Sequence, residues 1–281
     1  SIFNQDKVLS DLETSFLAAR GKDAIWYGKL LKNFSPKQLD VHILNNLEDQ
    51  DSETQRTLIK MISSESRAGS AKRLIRFLNP DRPEVTIAIL KLVCQNDIRA
   101  TSAVDLTPYI QNSHPVVRGF AGACLYSRDP EKLRPMIADW LGSKDKDLRR
   151  SGIISAGLSN DREYIDGLMA ILSEKNIDPI IPDIIRALSR LKARELNAVI
   201  FSYLTYERSD VRMAALDALE INDDFSLKKA ILLLGDNIDS IHDFAREKIR
   251  TAEFQNDTLL VESLGMPSTR IRRGVFELLE T

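Results

Sequence analysis

The sequence predicts an all-α protein in which pairs of short helices stack side by side as a curved solenoid. Two observations carry this prediction. Apolar residues recur with the 3.6-residue period of a helix instead of the alternation of a strand. One such pattern also returns about every 30 residues along the chain. A single amphipathic pair cannot bury its apolar face alone, so successive pairs are expected to pack against one another.

The second helix of each pair carries the clearest pattern, as in "SDVRMAALDALE" at 209–220. With Val211 as the anchor, apolar residues stand at positions 0, +3, +4, +7 and +8, the buried stripe of a helix. The further anchors, spaced by 30 to 33 residues, are Thr54, Val85, Val117, Leu148, Ile181, Ile241 and Ile271. A ninth copy lies near Ala24 in a less certain register.

The first helix of each pair is predicted between successive anchors, at 71–78, 131–141, 163–172, 195–204 and 226–234. Asn79-Pro80, Asp129-Pro130 and Met266-Pro267 mark turns. Residues that suit an N-cap precede the second helices, namely Asp147, Ser209-Asp210, Asp239-Ser240 and Ser268. Small residues at position +4 predict close helix contacts, namely Ala121, Gly152, Ala215 and Ala245.

These second helices resemble those of HEAT repeats in their short form of about 30 residues. The resemblance covers nearly the whole chain and is strongest from 80 to 281. It implies a right-handed α-solenoid and a ladder of inter-repeat hydrogen bonds made by the arginine that follows the anchor. The residues that match this ladder are Arg118, Arg149, Arg212 and Arg272. Pro182 and His242 stand at the same position, so the ladder is expected to be interrupted there.

We interpret 1–281 as one repeat array, with a less regular capping part over 1–50 and regular repeats over 51–281. The last helix keeps its apolar stripe, and no later residue is available to cover it. Terminal repeats of a solenoid normally present a polar outer face. The sequence therefore predicts a module excised from a longer chain.

Charge is nearly balanced overall, with 39 Lys and Arg against 41 Asp and Glu, which argues against a general attraction to nucleic acid or membranes. The distribution is uneven: residues 67–150 carry 15 basic and 9 acidic side chains, and residues 151–281 carry 16 and 22. Acidic residues recur two, six and nine places after an anchor, at Asp183, Asp217, Glu220, Asp243, Glu247, Glu277 and Glu280. We interpret them as a groove for a basic protein partner or neighbouring domain, although Arg190, Arg250 and Arg273 share these positions. The alternative is an ordinary solvated helix face.

Several enzyme classes lack the residues they need. The chain has three histidines, none followed by Glu, so the His-Glu pairs of a HEAT-like di-iron hydroxylase are missing. The two cysteines stand in apolar helical contexts that favour buried, reduced thiols. Phosphate-loop and nucleophile-elbow motifs are also missing. We therefore expect no metal, no cofactor, no membrane insertion and a cytoplasmic location.

A nucleic-acid interface is the alternative function, centred on 132–150 in the basic part of the chain. Its candidate residues are Trp140, Lys144, Lys146, Arg149 and Arg150, with Asp147 as a carboxylate that stabilises a cationic sugar. A DNA glycosylase of the alkylpurine type, whose fold is similar, is one such protein. Trp140 also suits a core position, and Asp147 suits a cap. The preferred prediction is a protein–protein interaction scaffold that serves as the adaptor or regulatory module of a larger protein.

Overall fold

The structure is a computed structural model that describes residues 2–36, 38–62, 68–96 and 98–280. Over these ranges it contains 18 α-helices, short 3-10 turns and no β-strand. The all-α class predicted from periodicity is confirmed. The chain divides into two compact units, Ser1–Ser159 and Asn160–Thr281, and each is described by itself.

The first unit is built from ten of these helices. They are α1 (Ile2–Ala18), α2 (Gly21–Phe34), α3 (Leu39–Asn46), α4 (Ser52–Ile59), α5 (Ala68–Leu74), α6 (Pro83–Asn96), α7 (Thr107–Ile110), α8 (Pro115–Tyr126), α9 (Pro130–Gly142) and α10 (Lys146–Leu158). The anchors Thr54, Val85, Val117 and Leu148 lie in even-numbered helices, as the predicted order of first and second helices requires. The shortest element, α7, is a single turn that begins at Thr107-Pro108.

The second unit continues the same alternation over its described residues. Its helices are α11 (Ile165–Leu172), α12 (Ile181–Arg190), α13 (Leu196–Tyr203), α14 (Ser209–Ala218), α15 (Asp224–Leu232), α16 (Asp239–Arg250), α17 (Asp257–Ser263) and α18 (Thr269–Leu279). The anchors Ile181, Val211, Ile241 and Ile271 begin the buried stripes of α12, α14, α16 and α18.

The anchored stripe faces the core of each unit. In α14, Val211, Ala214 and Ala215 are at most 1% exposed, and Leu219, directly after the helix, is 3% exposed. Ala24 is also fully buried, together with Leu31 seven residues later, which sets the register of α2. Within each unit, every second helix packs against the next second helix, and all of them except α4 also pack closely against the first helix of their own pair. Burial of these stripes is the main source of stability, since apolar burial is worth roughly 25 cal/mol per Å².

Glycine and small residues allow the closest approaches. An added Cβ at Gly152 would lie 2.8 Å from the backbone nitrogen of Leu141 in α9. An added Cβ at Gly119 would lie 2.7 Å from Cβ of Ile154 in α10. The Ser155 hydroxyl donates to the Gly119 carbonyl at 2.8 Å. Helix α8 therefore packs directly on α10, two and six places after the anchors Val117 and Leu148.

The structure corrects three of the four predicted N-caps. Ser209-Asp210 and Asp239-Ser240 lie inside α14 and α16, whose N-cap residues, Arg208 and Ile238, make no side-chain cap. Asp145, not Asp147, is the N-cap of α10, and its carboxylate accepts from the backbone nitrogens of Asp147 and Leu148 at 2.8 and 3.0 Å. The helix begins two residues earlier than its apolar stripe, so the cap moves with it. Ser268 does cap α18, accepting from the Ile271 nitrogen at 3.3 Å.

The first half of the α18 stripe is covered within its own unit. Ile271 and Val275 are 7% and 0% exposed. An added Cβ at Gly274 would lie 3.2 Å from Leu234, which shows how closely the preceding pair packs on this helix. Phe276 is 54% exposed, because it lies outside the stripe. Leu278 and Leu279, the last residues of the stripe, are half-buried and 38% exposed, so the end of the stripe stays open, and the excised module stays a prediction.

Candidate functional site

Three of the four predicted ladder arginines make one repeated contact. In Arg118, Arg212 and Arg272, Nη1 donates to the backbone carbonyls of the residues five and six places earlier, at 2.7 to 3.3 Å. These carbonyls belong to the turn that precedes each second helix. An arginine here satisfies backbone acceptors that the turn would otherwise leave to water.

Arg212 and Arg118 also reach the next helix pair. Arg212 donates through Nε and Nη2 to the two oxygens of Asp236, at 2.7 and 2.9 Å, and the side chains are 13% and 4% exposed. Burial raises the pKa of Asp236, but hydrogen bonds from Arg212 and from the Ile238 nitrogen outweigh burial and hold that pKa below its ordinary value. Arg118 donates from Nε to the Ser151 hydroxyl at 3.1 Å. These contacts give both arginines a structural role.

The residues after the anchors Leu148 and Ile241 contact a different carbonyl. Arg149 donates from Nε to the Leu141 carbonyl at 3.1 Å. His242 places Nδ1 at 2.6 Å from the Leu234 carbonyl, which is likewise eight residues earlier. The His242 imidazole in α16 thus makes the contact that the Arg149 guanidinium makes in α10, with a carbonyl eight residues earlier.

The acidic positions of α16 and α18 are paired with arginines. Glu277 binds both Arg246 and Arg273, the latter at 3.0 Å. Arg246 also lies 3.3 Å from Asp243. Arg250 binds Glu247 at 2.6 Å. Helices α16 and α18 border a depression of about 450 Å³ at these positions, but its walls carry both signs of charge.

The remaining acidic positions are also not a uniform row. Asp183 is only 13% exposed and lies 3.4 Å from Arg186. Asp217 and Glu220 are exposed, and Lys248 reaches the Asp217 carbonyl at 2.8 Å. Burial lowers the pKa of Lys248, while the charges of Asp217 and Glu220 act in the opposite direction. The predicted acidic groove therefore has compensating cations along much of its length.

The basic segment at 132–150 separates into exposed and packed residues. Lys144 and Lys146 are exposed, whereas Arg149 and Arg150 are half-buried. Trp140 is half-buried, and an added Cβ at Gly122 would lie 3.0 Å from its Cζ3. The edge of the indole ring thus rests on α8, as the structural interpretation of Trp140 expects.

A cleft between α4 and α6 was not predicted from the sequence. It has a volume of about 680 Å³, and we call it the α4–α6 cleft. Its lining residues are Arg56, Ile59, Lys60, Ile62, Glu84, Ile87, Ala88, Lys91 and Leu92. The basic side chains of this cleft could have been recognised from the sequence, since Arg56, Lys60 and Lys91 stand two or six places after an anchor.

The α4–α6 cleft combines an apolar floor with a basic rim. Ile59 and Ile62 are 1% and 5% exposed but still border the cleft. Lys60 and Lys91 are exposed at its rim, and among the lining residues that the structure describes Glu84 is the one acidic side chain. Within the described ranges, Arg56 makes no ion pair with any carboxylate.

Helix α2 presents an exposed tryptophan in the same register. An added Cβ at Gly28 would lie 3.3 Å from Leu58 and Met61, which shows that α2 packs closely beside α4 and the turn that follows it. Trp26, two places after Ala24, is 56% exposed, and its ring meets that of Tyr27 edge-on with centroids 4.9 Å apart. Exposed tryptophan is frequent among residues that dominate binding energy at protein interfaces.

The described residues contain no group of three or more His, Cys, Asp or Glu side chains that could hold a metal ion. No family model matches this chain, and neither does any curated protein. Across the described part of the chain, every helix is too short or too polar to cross a membrane.

Proposed function

We propose that the chain is a protein-binding module of HEAT-like repeats, stacked as a right-handed α-solenoid within each unit. We further propose that the α4–α6 cleft binds an acidic, amphipathic segment of a partner protein. The observation that carries this proposal is the cleft itself, with its apolar floor and three basic side chains at its edge. The sequence-based prediction of an adaptor or regulatory module is kept, with the partner surface moved to the first unit.

The chemistry of the cleft favours an amphipathic partner. An apolar floor offers burial to hydrophobic side chains, and the Arg56 and Lys60 cations are suited to carboxylates on the partner's polar face. A helix that inserts apolar residues at spacings of three and four would place acidic residues beside this rim. The acidic positions of α16 and α18 support partner binding less well, because Arg246, Arg250 and Arg273 already bind their carboxylates.

The test is a titration of a labelled amphipathic peptide that alternates Leu and Glu at helical spacing. The charge-reversing double variant Arg56→Glu/Lys60→Glu turns two rim attractions into two repulsions. At about 0.2–1 kcal/mol for each exposed pair, the change amounts to about 1–4 kcal/mol, so the Kd should rise at least about fivefold. The matched control, Lys144→Glu/Lys146→Glu, makes the same charge change on exposed residues away from the cleft.

Two comparisons make the result decisive. A scrambled peptide of the same composition, which has no apolar stripe, should bind at least about tenfold more weakly than the amphipathic peptide. Equal weakening by both double variants, or equal binding of both peptides, would show nonspecific attraction and overturn the assignment. Salt-dependent binding of short duplex DNA that is lost in Lys144→Glu/Lys146→Glu would instead favour the nucleic-acid alternative.

A further inference from the structure

Cys94 and Cys124 lie together although 30 residues separate them in sequence. Their sulfur atoms are 3.7 Å apart, where the last turn of α6 meets α8. Helices α6 and α8 pack against each other in the first unit, so the contact belongs to the interface between successive repeats. A disulfide needs an S–S distance of about 2.05 Å, so the sulfurs must approach by about 1.7 Å.

The two thiols have different surroundings. Cys124 is fully buried, whereas Cys94 is partly exposed. The hydrogen bond from Cys94 lowers the pKa of Cys124; burial opposes this, and the Thr101 hydroxyl and the charge of Arg128 add to the lowering. Arg128 is held nearby by hydrogen bonds to the Thr101 and Val104 carbonyls. The Cys94 thiol is therefore accessible to a reagent in solution, and the Cys124 thiol is placed to attack the Cys94 sulfur.

We propose that Cys94 and Cys124 are a redox-active dithiol, which a low-molecular-weight disulfide oxidises to a bond that links α6 to α8. The inference rests on the 3.7 Å contact between the two sulfurs and on the unequal exposure of the two side chains. It does not depend on the proposed peptide-binding function. Two thiols that served only as core residues would stay reduced in the folded protein.

The reaction proceeds through two thiol–disulfide exchanges. The Cys94 thiolate attacks one sulfur of the small disulfide, forms a mixed disulfide and releases the first small thiolate. The Cys124 thiolate then attacks the Cys94 sulfur, forms the intramolecular bond and releases the second. Two electrons pass from the cysteines to the small disulfide, and the two cysteine protons end on the two small thiols.

The exposure difference determines the order of these steps. Glutathione disulfide can reach Cys94 from solvent, whereas Cys124 is enclosed by the packing of α8. In the Cys124→Ser variant, Cys94 should therefore accumulate as a mixed disulfide with glutathione. In the Cys94→Ser variant, Cys124 should react at least about tenfold more slowly than Cys94 does in Cys124→Ser. The two variants are matched, since each replaces one sulfur with an oxygen.

The experiment incubates the full chain with defined ratios of reduced and oxidised glutathione and follows thiol number and intact mass. The wild-type chain should lose both thiols and two hydrogen atoms without gaining glutathione, and excess reduced glutathione should restore it. Far-UV circular dichroism of both variants checks that they are folded. The proposal is overturned if folded wild type keeps both thiols, forms only intermolecular disulfides, or if the two variants react at equal rates.

Discussion

The Asp236→Asn substitution tests whether the ladder contacts hold the second unit together. Asp236 accepts two hydrogen bonds from Arg212 and one from the Ile238 nitrogen, with its side chain 4% exposed. Oδ1 is shared by Arg212 Nη2 and the Ile238 nitrogen, and Oδ2 accepts from Arg212 Nε. An asparagine can keep the first oxygen in place. Its amide nitrogen then faces Nε of Arg212, so two donors oppose each other.

The magnitude follows from these contacts. The variant loses one charge-assisted hydrogen bond, which contributes about 1.5–3 kcal/mol, together with the attraction between opposite charges. It also avoids the cost of burying a carboxylate, which offsets part of this loss. Arg212 keeps its two carbonyl contacts. We expect a loss of about 2 kcal/mol in the free energy of unfolding at neutral pH.

The loss should depend on pH in a defined direction. The pKa of Asp236 in the folded protein lies below its ordinary value, so the carboxylate stabilises the fold above the unfolded-state pKa of about 3.9. As the pH falls through the folded-state pKa, Asp236 becomes protonated and this stabilisation disappears. The difference between wild type and Asp236→Asn should therefore be full at pH 7 and shrink below about pH 4.

Urea unfolding followed by circular dichroism at pH 3 to 7 measures this difference. Hydrogen exchange of amides in α14 and α16 assigns it to the second unit. The control is Asp239→Asn, which removes a carboxylate that pairs with Arg270 at 2.5 Å but is 88% exposed. Solvent screens such a pair, so this variant should unfold close to wild type. The reasoning fails if both variants lose equal stability, or if the Asp236→Asn difference persists unchanged into acid.

Three other predictions concern the first unit, with Gly167 in α11 of the second unit as a control. Gly152→Ala should cost about 1–3 kcal/mol, because its Cβ meets α9 backbone at 2.8 Å. The control Gly167→Ala has no atom within 4 Å of its added Cβ, so it should be neutral or stabilising by up to about 1 kcal/mol. Equal urea midpoints for Gly152→Ala and Gly167→Ala would contradict this packing argument. A disulfide between Cys94 and Cys124 should raise the free energy of unfolding by about 3–4 kcal/mol. Urea unfolding of the oxidised and the reduced chain measures this difference, and no gain in stability would indicate a strained bond. Asp51→Ala should cost about 1 kcal/mol in the same assay, because this carboxylate caps α4; an unchanged midpoint would show that water replaces the cap.

Local chemistry in the sequence identified most helices but not all of their ends. Ser268 was recognisable as a cap because it stands three residues before an apolar anchor. Asp147 stands only one residue before its anchor and lies inside α10, whereas Asp145, three residues before Leu148, holds the cap position that Ser268 holds in α18. A helix end depends on which side chain arrives at which nitrogen, and neighbouring polar residues compete for that contact.

Candidate surfaces were harder to predict than helices. The positions two, six and nine after an anchor were treated as one open face. In α8 and α10 the face is closed, since Gly119 packs against Ile154. In α4 and α6 it opens into a cleft with Arg56 and Lys60 at the rim. The register alone does not distinguish these cases, because the distance between helices depends on every side chain in the interface.

The sequence by itself determined the helix class, the order of first and second helices and the stripe that each second helix buries. These properties depend on apolar residues at fixed spacing within one helix, which any reader of the chain can count. Only the tertiary structure decided that Asp236 forms an ion pair with Arg212 and that the sulfurs of Cys94 and Cys124 lie 3.7 Å apart. It also decided that a cleft lies between α4 and α6. Those outcomes depend on contacts between residues about one repeat apart, and close packing lets small changes of volume determine which groups meet.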